Sequence, residues 1–413
     1  MDVAIGGSLV AHFLTLFVVV WVAGRVNLSG RFLLFFALFY GIAPLVPFTG
    51  FEFFQYEVSY SYDPRVLLLY SLSSLFFVLV AFVLQAFPCA ALDVLDVDTA
   101  AALRVLWCIA LVAWLIDIAA NWSFFLLPKH EYIASIPQQT KNLFLFTIPA
   151  AELLAGAFAL SPFRSVVMRR VVAIVGVLAV LQSLVLGYRH VALLALLLIL
   201  LPRVRSLGVL TLCLFLTFIG EISNGIKLFF SPASGIQGNI LDAVWWREYL
   251  EVSIGVSTEQ KAILSNLLIK LAHPEFIDYW RGFLYLVAGL FGSIISRIGV
   301  EVTASTAELA AFVGTLEGQG TGYSIQLSII ESFGLVLPFV VLVGFLARAT
   351  VGTMLFILAA EIMFSMMRNG PEYWLAQVNK LIFLIFLVWL LSLILQFVRV
   401  RSQSVAPRLP ADL

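Results

Sequence analysis

Long apolar runs, each close to the length that crosses a lipid bilayer, recur along almost the whole chain. A transmembrane helix needs about 20 consecutive apolar residues. With 62% hydrophobic residues, 12% charged residues and a mean hydropathy of +1.05, the chain has too few polar residues to cover a soluble surface. We expect an all-α polytopic membrane protein with about eleven spans, at residues 4–24, 31–50, 65–87, 102–121, 142–161, 171–187, 188–202, 206–222, 324–346, 349–367 and 378–398.

One polar stretch, from Glu221 to Glu331, interrupts the series of apolar runs. It predicts a large external loop over residues 223–323, within a single integral-membrane domain that covers residues 1–413. We expect this loop to fold as a small cap on one membrane face. The segment Phe283–Ile298 is itself apolar, so the span count depends on whether it enters the bilayer.

Arginines identify the cytoplasmic face, because short cytoplasmic loops of membrane proteins carry an excess of basic residues. One set of short loops, together with the C-terminal tail, carries arginines and no lysine. The long loop, Arg189 and Arg368 are then expected on the opposite, external face. The cytoplasmic set is Arg25, Arg31, Arg104, Arg164, Arg169, Arg170, Arg203, Arg205, Arg348, Arg399, Arg401 and Arg408.

The sequence gives no signal for metal or nucleic-acid binding. Cys89, Cys108 and Cys213 lie in or beside apolar runs without the spacing of metal ligands, so the cysteines support neither a disulfide framework nor a zinc site. Asp96-Val97-Asp98 matches the D-x-D motif of metal-dependent transferases, but we interpret it as a solvated acidic start of a helix. The formal net charge of +0 favours no nucleic-acid partner.

The corner Gly187-Tyr188-Arg189-His190, between the sixth and seventh predicted spans, is the first candidate site. A guanidinium at headgroup depth suits a phosphate or pyrophosphate, because its fork donates two hydrogen bonds to one group. Arg189 is thus a candidate for binding a lipid phosphate, with Tyr188 and His190 beside it. The alternative is an arginine that extends to the interface, next to a histidine with an ordinary structural role.

The long loop holds a second cluster, in which aromatic side chains lie beside charged ones. Aromatic rings of this kind stack on the apolar faces of sugars while the polar groups bind the hydroxyls. The alternative is an amphipathic interfacial helix with tryptophan and tyrosine at headgroup level. The cluster consists of His273, Tyr279, Trp280, Arg281 and Tyr285.

Glu331 lies inside a predicted span and belongs to a third group. A carboxylate within the membrane is costly, so Glu331 is a functional candidate; pairing with an arginine or capping of a helix would also explain it. A glycine-rich segment that includes Tyr323 precedes this span, and Glu317 precedes that segment. Arg368 follows the next predicted span on the external side.

Over residues 180–370, the order of these motifs resembles the O-antigen and capsule oligosaccharide repeat-unit polymerases (the Wzy type), which are similar to the O-antigen ligases. Four motifs carry the resemblance: Arg189-x-x-x-Leu193, Tyr279-x-x-Gly282-x-x-Tyr285, Ser328-x-x-Glu331-Ser332-Phe333-Gly334 and Arg368-Asn369-Gly370. The resemblance implies a C-type glycosyltransferase-like fold in the bacterial inner membrane, with the active site facing the periplasm.

The resemblance also implies an activity: metal-independent transfer of a growing glycan to a new repeat unit in lipopolysaccharide or related surface polysaccharide biosynthesis. Both substrates would be undecaprenyl pyrophosphate-linked oligosaccharides. Membrane lipid and a chain-length-regulating co-polymerase would be the partners. No nucleic acid and no cofactor would be involved.

The chemistry of this reaction suggests roles for the candidate residues. The pyrophosphate leaving group needs cations, and the acceptor hydroxyl needs a base. We expect Arg189, His273 and Glu331 to be catalytic. The expected substrate-binding residues are Tyr188, His190, Tyr279, Trp280, Arg281, Tyr285, Arg297, Glu317, Tyr323 and Arg368.

Two other functions stay open from the sequence. A lipid-linked oligosaccharide flippase or other transporter would also use broken spans and intramembrane charges, although its halves should show similar span patterns and short loops. A C-type glycosyltransferase that uses lipid-monophosphate sugars would need carboxylates in an early external loop, where Glu52, Glu57 and Asp63 lie.

Overall fold

The computed structural model describes residues 3–45, 63–86, 97–121, 150–185, 188–230, 242–247, 258–272, 274, 277–297 and 323–405. All regular secondary structure within these ranges is helical. The main helices are α1 (Val3–Ala23), α2 (Leu28–Gly41), α3 (Pro64–Ala86), α4 (Val97–Asn121), α5 (Ala150–Ala159), α6 (Val166–Val185), α7 (Arg189–Leu200), α8 (Ser206–Phe230), α9 (Thr258–Ala272), α10 (Tyr279–Arg297), α11 (Ile325–Glu331), α12 (Leu337–Thr350), α13 (Phe356–Met366) and α14 (Pro371–Val405).

The described residues include 6 helices that are long and apolar enough to cross a membrane. They cover Ala4–Ala23, Leu28–Leu45, Pro64–Ala86, Asp98–Ala120, Val166–Leu184 and Pro371–Arg401. The chain is therefore a helical membrane protein, as its hydropathy predicts. Shorter apolar helices lie at four further predicted spans, so the count of about eleven stays a prediction.

The predicted span 324–346 is not one continuous helix. Helix α11 ends at Glu331 and α12 begins at Leu337. Between them, Phe333 and Gly334 adopt left-handed backbone conformations with φ of 50° and 79°. The amide of Gly334 donates to the carbonyl of Ile329 at 2.8 Å, which closes the end of α11 in the manner of a glycine C-cap. Hydropathy did not predict this break, because it carries no information about φ.

Contacts within the chain group it into two compact units. The first comprises Met1–Phe87, Arg203–Gly344 and Ile362–Ala376, and the second comprises Pro88–Pro202, Phe345–Glu361 and Gln377–Leu413. The expectation of a single integral-membrane domain stays a prediction.

In the first unit, α1, α2 and α3 pack against one another. His12 of α1 is fully buried; its Nε2 donates to the carbonyl of Gly41 at 2.8 Å, and its Nδ1 accepts from the hydroxyl of Ser71 at 3.0 Å. Asn27 caps α2 by accepting from the amide of Gly30 at 2.9 Å. The side-chain amide of Asn27 also donates to the carbonyl of Leu84 at 3.1 Å. One asparagine thus satisfies backbone groups at the ends of two helices.

Helix α9, from the long loop, belongs to the core of the first unit. Four of its leucines pack in one cluster with Ala43, Val66, Tyr70, Tyr323 and Leu327. The leucines are Leu264, Leu267, Leu268 and Leu271. Helix α9 therefore packs within the first unit, because one of its faces is apolar. The expectation of a small cap on one membrane face stays a prediction.

In the second unit, buried polar contacts and close backbone approaches position the helices. Trp114 of α4 donates to the side-chain carbonyl of Gln182 of α6. Gly156 of α5 lies against the backbone of Met354, where an added Cβ would approach the carbonyl oxygen to 2.5 Å. Asp98, at the start of α4, pairs with Arg399 at 3.1 Å. Asp98 is thus an acidic residue at a helix start, as interpreted from the sequence, but only 13% of its side chain is exposed, so it is paired rather than solvated.

Candidate functional site

The second unit contains a group of three ionisable side chains that come from three different helices. Glu152 lies in α5, His190 in the first turn of α7, and Glu361 in α13. The Nε2 atom of His190 is 3.8 Å from an oxygen of Glu152 and 3.9 Å from an oxygen of Glu361. Both glutamates are buried, with 2% and 5% of their surfaces exposed. We call these three residues the Glu–His–Glu cluster.

The start of α7 fixes the position of His190. Tyr188 is the N-cap of this helix, and its carbonyl accepts from the amide of Val191 at 3.2 Å. The ring of Tyr188 contacts that of His190 edge-on, with the centroids 6.0 Å apart. The rest of α7 is apolar, and Val191, Leu194, Leu197 and Leu198 are buried. The packing of these buried residues fixes the position of α7, and therefore that of His190 in its first turn.

The charges of the Glu–His–Glu cluster are close enough to affect one another. One oxygen of Glu152, Oε2, is buried and has no hydrogen-bond partner among the residues that the structure describes. Lys380 of α14 interacts electrostatically with Glu152 and Glu361. Buried carboxylates are retained in membrane helices when they are paired or when they bind something. The cluster is thus suited to bind a cation or a donor group.

Glu152, Glu361 and Lys380 are not among the site residues predicted from the sequence. Each glutamate is a lone carboxylate inside a predicted span, over 142–161 and 349–367. This is the same signal that singled out Glu331, and it would have found both residues. Their proximity to His190 could not be predicted, because three non-adjacent helices create it.

The first unit contains a second polar group around Glu331. Lys270, in the last turn of α9, donates to Oε1 of Glu331 at 3.1 Å. The hydroxyl of Tyr323 donates to the other oxygen, Oε2. Only 3% of the Glu331 side chain and 14% of the Lys270 side chain are exposed. Both carboxylate oxygens therefore have partners, and the carboxylate pairs with a lysine that the sequence analysis did not single out.

The predicted aromatic cluster divides into buried and exposed members. Tyr285 is buried, and its ring contacts that of Tyr323 edge-on at 6.3 Å between centroids. Tyr279 is 44% exposed and stacks on Phe333 at 4.2 Å. Trp280 is 66% exposed and stacks on Phe283. Tyr285 is therefore part of the buried surroundings of Tyr323, whereas the rings of Tyr279 and Trp280 lie at the surface.

The arginines of the predicted site lie in varied surroundings. Arg281 forms a surface pair with Asp278 at 3.2 Å. The carbonyl of Arg368 accepts from the amide of Tyr323 at 2.7 Å, and its guanidinium lies 5.2 Å from the ring centre of Phe364. Arg368 is therefore next to the Glu331 group through the backbone of Tyr323.

The structure thus brings together two subsets of the predicted residues, one in each unit. Tyr285, Tyr323, Glu331 and Arg368 are neighbours in the first unit. Tyr188 and His190 are in contact in the second unit, where Arg189 lies between them in sequence. His273 and Glu317 lie outside the described residues, and of Arg297 only the helical backbone is described.

No protein-family model matches the chain, and no curated protein and no solved structure matches it either. The function must therefore be argued from the two polar groups.

Proposed function

We propose that the protein is a membrane glycosyltransferase that polymerises undecaprenyl pyrophosphate-linked repeat units. The observation that carries this proposal is the polar first turn of α7, where His190 lies close to two buried carboxylates and Arg189 is its neighbour in sequence. Charged groups inside membrane proteins are costly and commonly mark a substrate path. A polymerase of lipid-linked glycans needs such a place at membrane depth.

Arg189 has the position and chemistry to bind the pyrophosphate. It is the first residue of a 12-residue helix, where the backbone amides and the helix dipole also favour an anion. Its guanidinium can bind two phosphate oxygens at once. The same contacts would stabilise the negative charge that develops when the glycosidic bond to the pyrophosphate breaks.

The Glu331 group supports His273 as the base that removes the proton of the acceptor hydroxyl. Lys270 and Tyr323 already occupy both oxygens of Glu331, so that carboxylate is better suited to hold Lys270 in place. His273 follows directly after α9, whose last turn carries Lys270. In this proposal the exposed rings of Tyr279 and Trp280 bind the sugars.

Reconstitution of the purified protein with its lipid-linked repeat unit tests the proposal. We expect products that contain two or more repeat units on one lipid, separated as a ladder. The same ladder should disappear from the surface polysaccharide of a deletion strain and return with the intact gene. If the purified protein leaves the repeat unit unextended while a complemented strain makes a normal ladder, the polymerase proposal is wrong.

A transporter of lipid-linked oligosaccharides is the second candidate. The break between α11 and α12 gives an interrupted helix of the kind that transporters use at their binding sites. The two functions differ in one measurement. A transporter would move a labelled lipid-linked glycan across the bilayer of a vesicle without changing its length.

A further inference from the structure

We infer that the Glu–His–Glu cluster is a binding site for a divalent transition-metal cation such as Zn²⁺ or Mn²⁺. The inference does not rest on the proposed polymerase activity, because it concerns binding alone. It departs from the metal-independent chemistry that the resemblance to the polymerases implies.

The geometry of the three side chains is the first reason. One ligand atom from each of Glu152, His190 and Glu361 lies within 4.8 Å of the others. Zinc binds histidine nitrogen and carboxylate oxygen at about 2.0–2.2 Å, which places tetrahedral ligands about 3.4 Å apart. The distances of 3.8 Å and 3.9 Å from Nε2 of His190 to the two carboxylates are too long for hydrogen bonds. They are only slightly longer than the separation between two ligands of a zinc ion. Small rotamer changes would close the three atoms around a cation.

The unbonded oxygen of Glu152 is a second, independent reason. Buried polar atoms in proteins are almost always hydrogen-bonded, and a buried carboxylate oxygen without a partner is costly. Oε2 of Glu152 has none among the described residues, although the other oxygen of the same carboxylate faces His190. A cation bound by this carboxylate would compensate for the missing bond.

The donor set determines which cation is expected. Calcium and magnesium prefer sites made entirely of oxygen, whereas an imidazole with carboxylates suits zinc, manganese or iron. Three protein ligands leave at least one coordination position open, as in sites that bind a further molecule. The site would therefore hold the cation without enclosing it.

The two buried carboxylates of the cluster could be neutralised in either of two ways. Two carboxylates offset the charge of a divalent cation, and Lys380 opposes its binding. In the alternative, Lys380 and a protonated His190 neutralise both carboxylates without any metal. The unbonded Oε2 of Glu152 favours the cation, because a buried carboxylate that is neutralised by a cationic side chain would be expected to form hydrogen bonds with it.

Metal binding by the intact protein tests the inference. The protein is purified in detergent with an affinity tag that lacks histidine, stripped with a chelator and titrated with Zn²⁺ and Mn²⁺ by calorimetry. We expect about one equivalent of tightly bound metal. Glu361→Gln and Glu152→Gln should each weaken metal binding by at least about 10-fold. Replacement of a residue that only hydrogen-bonds to a metal ligand already has an effect of this size. Asp98→Asn, which removes a carboxylate of the same unit outside the cluster, should bind like the wild type.

A second readout keeps the test decisive if the variants fold poorly. The wild-type protein titrated with Co²⁺ should develop visible absorption bands typical of a four- or five-coordinate site with nitrogen and oxygen ligands. Absence of both these bands and calorimetric binding in the wild type would overturn the inference. Binding that is the same in the wild type and in folded Glu361→Gln and Glu152→Gln would overturn it equally.

Discussion

Lys270 and Glu331 form a buried ion pair, with Nζ 3.1 Å from Oε1, between residues that are 61 positions apart in the chain. The pair links α9, from the long loop, to the short helix α11. Tyr323 donates to the second oxygen of Glu331, so the carboxylate is held from two sides. The loop helix is thus tied to the membrane part of its unit by a charge as well as by leucine packing.

We predict that Glu331→Gln destabilises the protein by about 3–5 kcal/mol, because it removes the buried carboxylate that pairs with the Lys270 ammonium. Thermal unfolding in detergent, followed by tryptophan fluorescence, measures the loss. The double variant Lys270→Met/Glu331→Met should lose less stability than Glu331→Gln, since it removes both charges of the pair. A double variant that is less stable than Glu331→Gln would contradict this explanation of the loss.

Gly282 gives a second prediction. A Cβ at this position of α10 would overlap the carbonyl group of Glu331, whereas one at Gly292 of the same helix would meet nothing within 4 Å. Gly282→Ala should therefore cost about 1–3 kcal/mol through overpacking. Gly292→Ala should be neutral, and equal melting temperatures for the two variants would contradict the close approach of α10 and α11.

Asp63 gives a prediction about pH. Partial burial raises the pKa of Asp63, but hydrogen bonds and charge from Arg65 outweigh this effect, and the net shift is downward. A carboxyl whose pKa is lower in the folded state stabilises the protein above its unfolded pKa, and this stabilisation is lost as the pH falls through the folded pKa. We expect Asp63→Asn to be less stable than the wild type near neutral pH.

The effect of Asp63→Asn should be less than about 1 kcal/mol, because the Arg65 side chain is 62% exposed. The difference between the two melting temperatures should shrink as the pH is lowered from about 7 to about 3. A difference that is the same at every pH would exclude the ion pair as its cause.

Arg189 is the residue whose replacement tests the proposed phosphate contact. We predict that Arg189→Ala lowers polymerisation by about 100-fold or more, as loss of a donor to a developing anion does, with normal yield of folded protein. Arg189→Lys should restore only part of the activity, since lysine cannot bind two oxygens at once. Arg170→Ala removes an exposed arginine from the predicted opposite face and should leave the ladder unchanged. Full activity of Arg189→Lys would exclude the two-oxygen contact.

Orientation in the membrane is a separate prediction. The distribution of arginines predicts that the long loop lies outside the cytoplasm and the C-terminal tail inside. Alkaline phosphatase fused after Gly255 should be active, because this enzyme requires the periplasm, and the same enzyme fused after Leu413 should be inactive. The reverse pattern would move the proposed site to the cytoplasmic face.

Hydropathy was enough to predict the class of the protein and the approximate place of most helices, because about 20 apolar residues in a row leave few alternatives to a span. It could not predict the break at Gly334, which depends on backbone conformation. The buried face of α9 was visible in principle, since Leu264, Leu267, Leu268 and Leu271 follow helical spacing. This apolar face was not predicted, because the stretch around it is polar and was interpreted as an external loop.

The candidate sites were predictable residue by residue but not as groups. Arg189 and Glu331 stand out in the sequence because each is charged at the edge of, or within, an apolar run. Their neighbours in the structure do not stand out in the sequence. Lys270 lies near Glu331, and Glu361 lies near His190, only because helices that are distant in the chain pack together. Spacing along a chain reports contacts within one helix, and these contacts lie between helices.

The hydrogen bonds of His12 have a consequence for the order in which the protein is made. Both of its partners, Gly41 and Ser71, are translated later than α1 itself. Until α2 and α3 have been synthesised, the imidazole has neither of these partners, and a buried polar group without a partner is unfavourable in a bilayer. All three helices are complete once residue 86 has left the ribosome. The first stable intermediate in the membrane should therefore be a three-helix unit, assembled while most of the chain is still being synthesised.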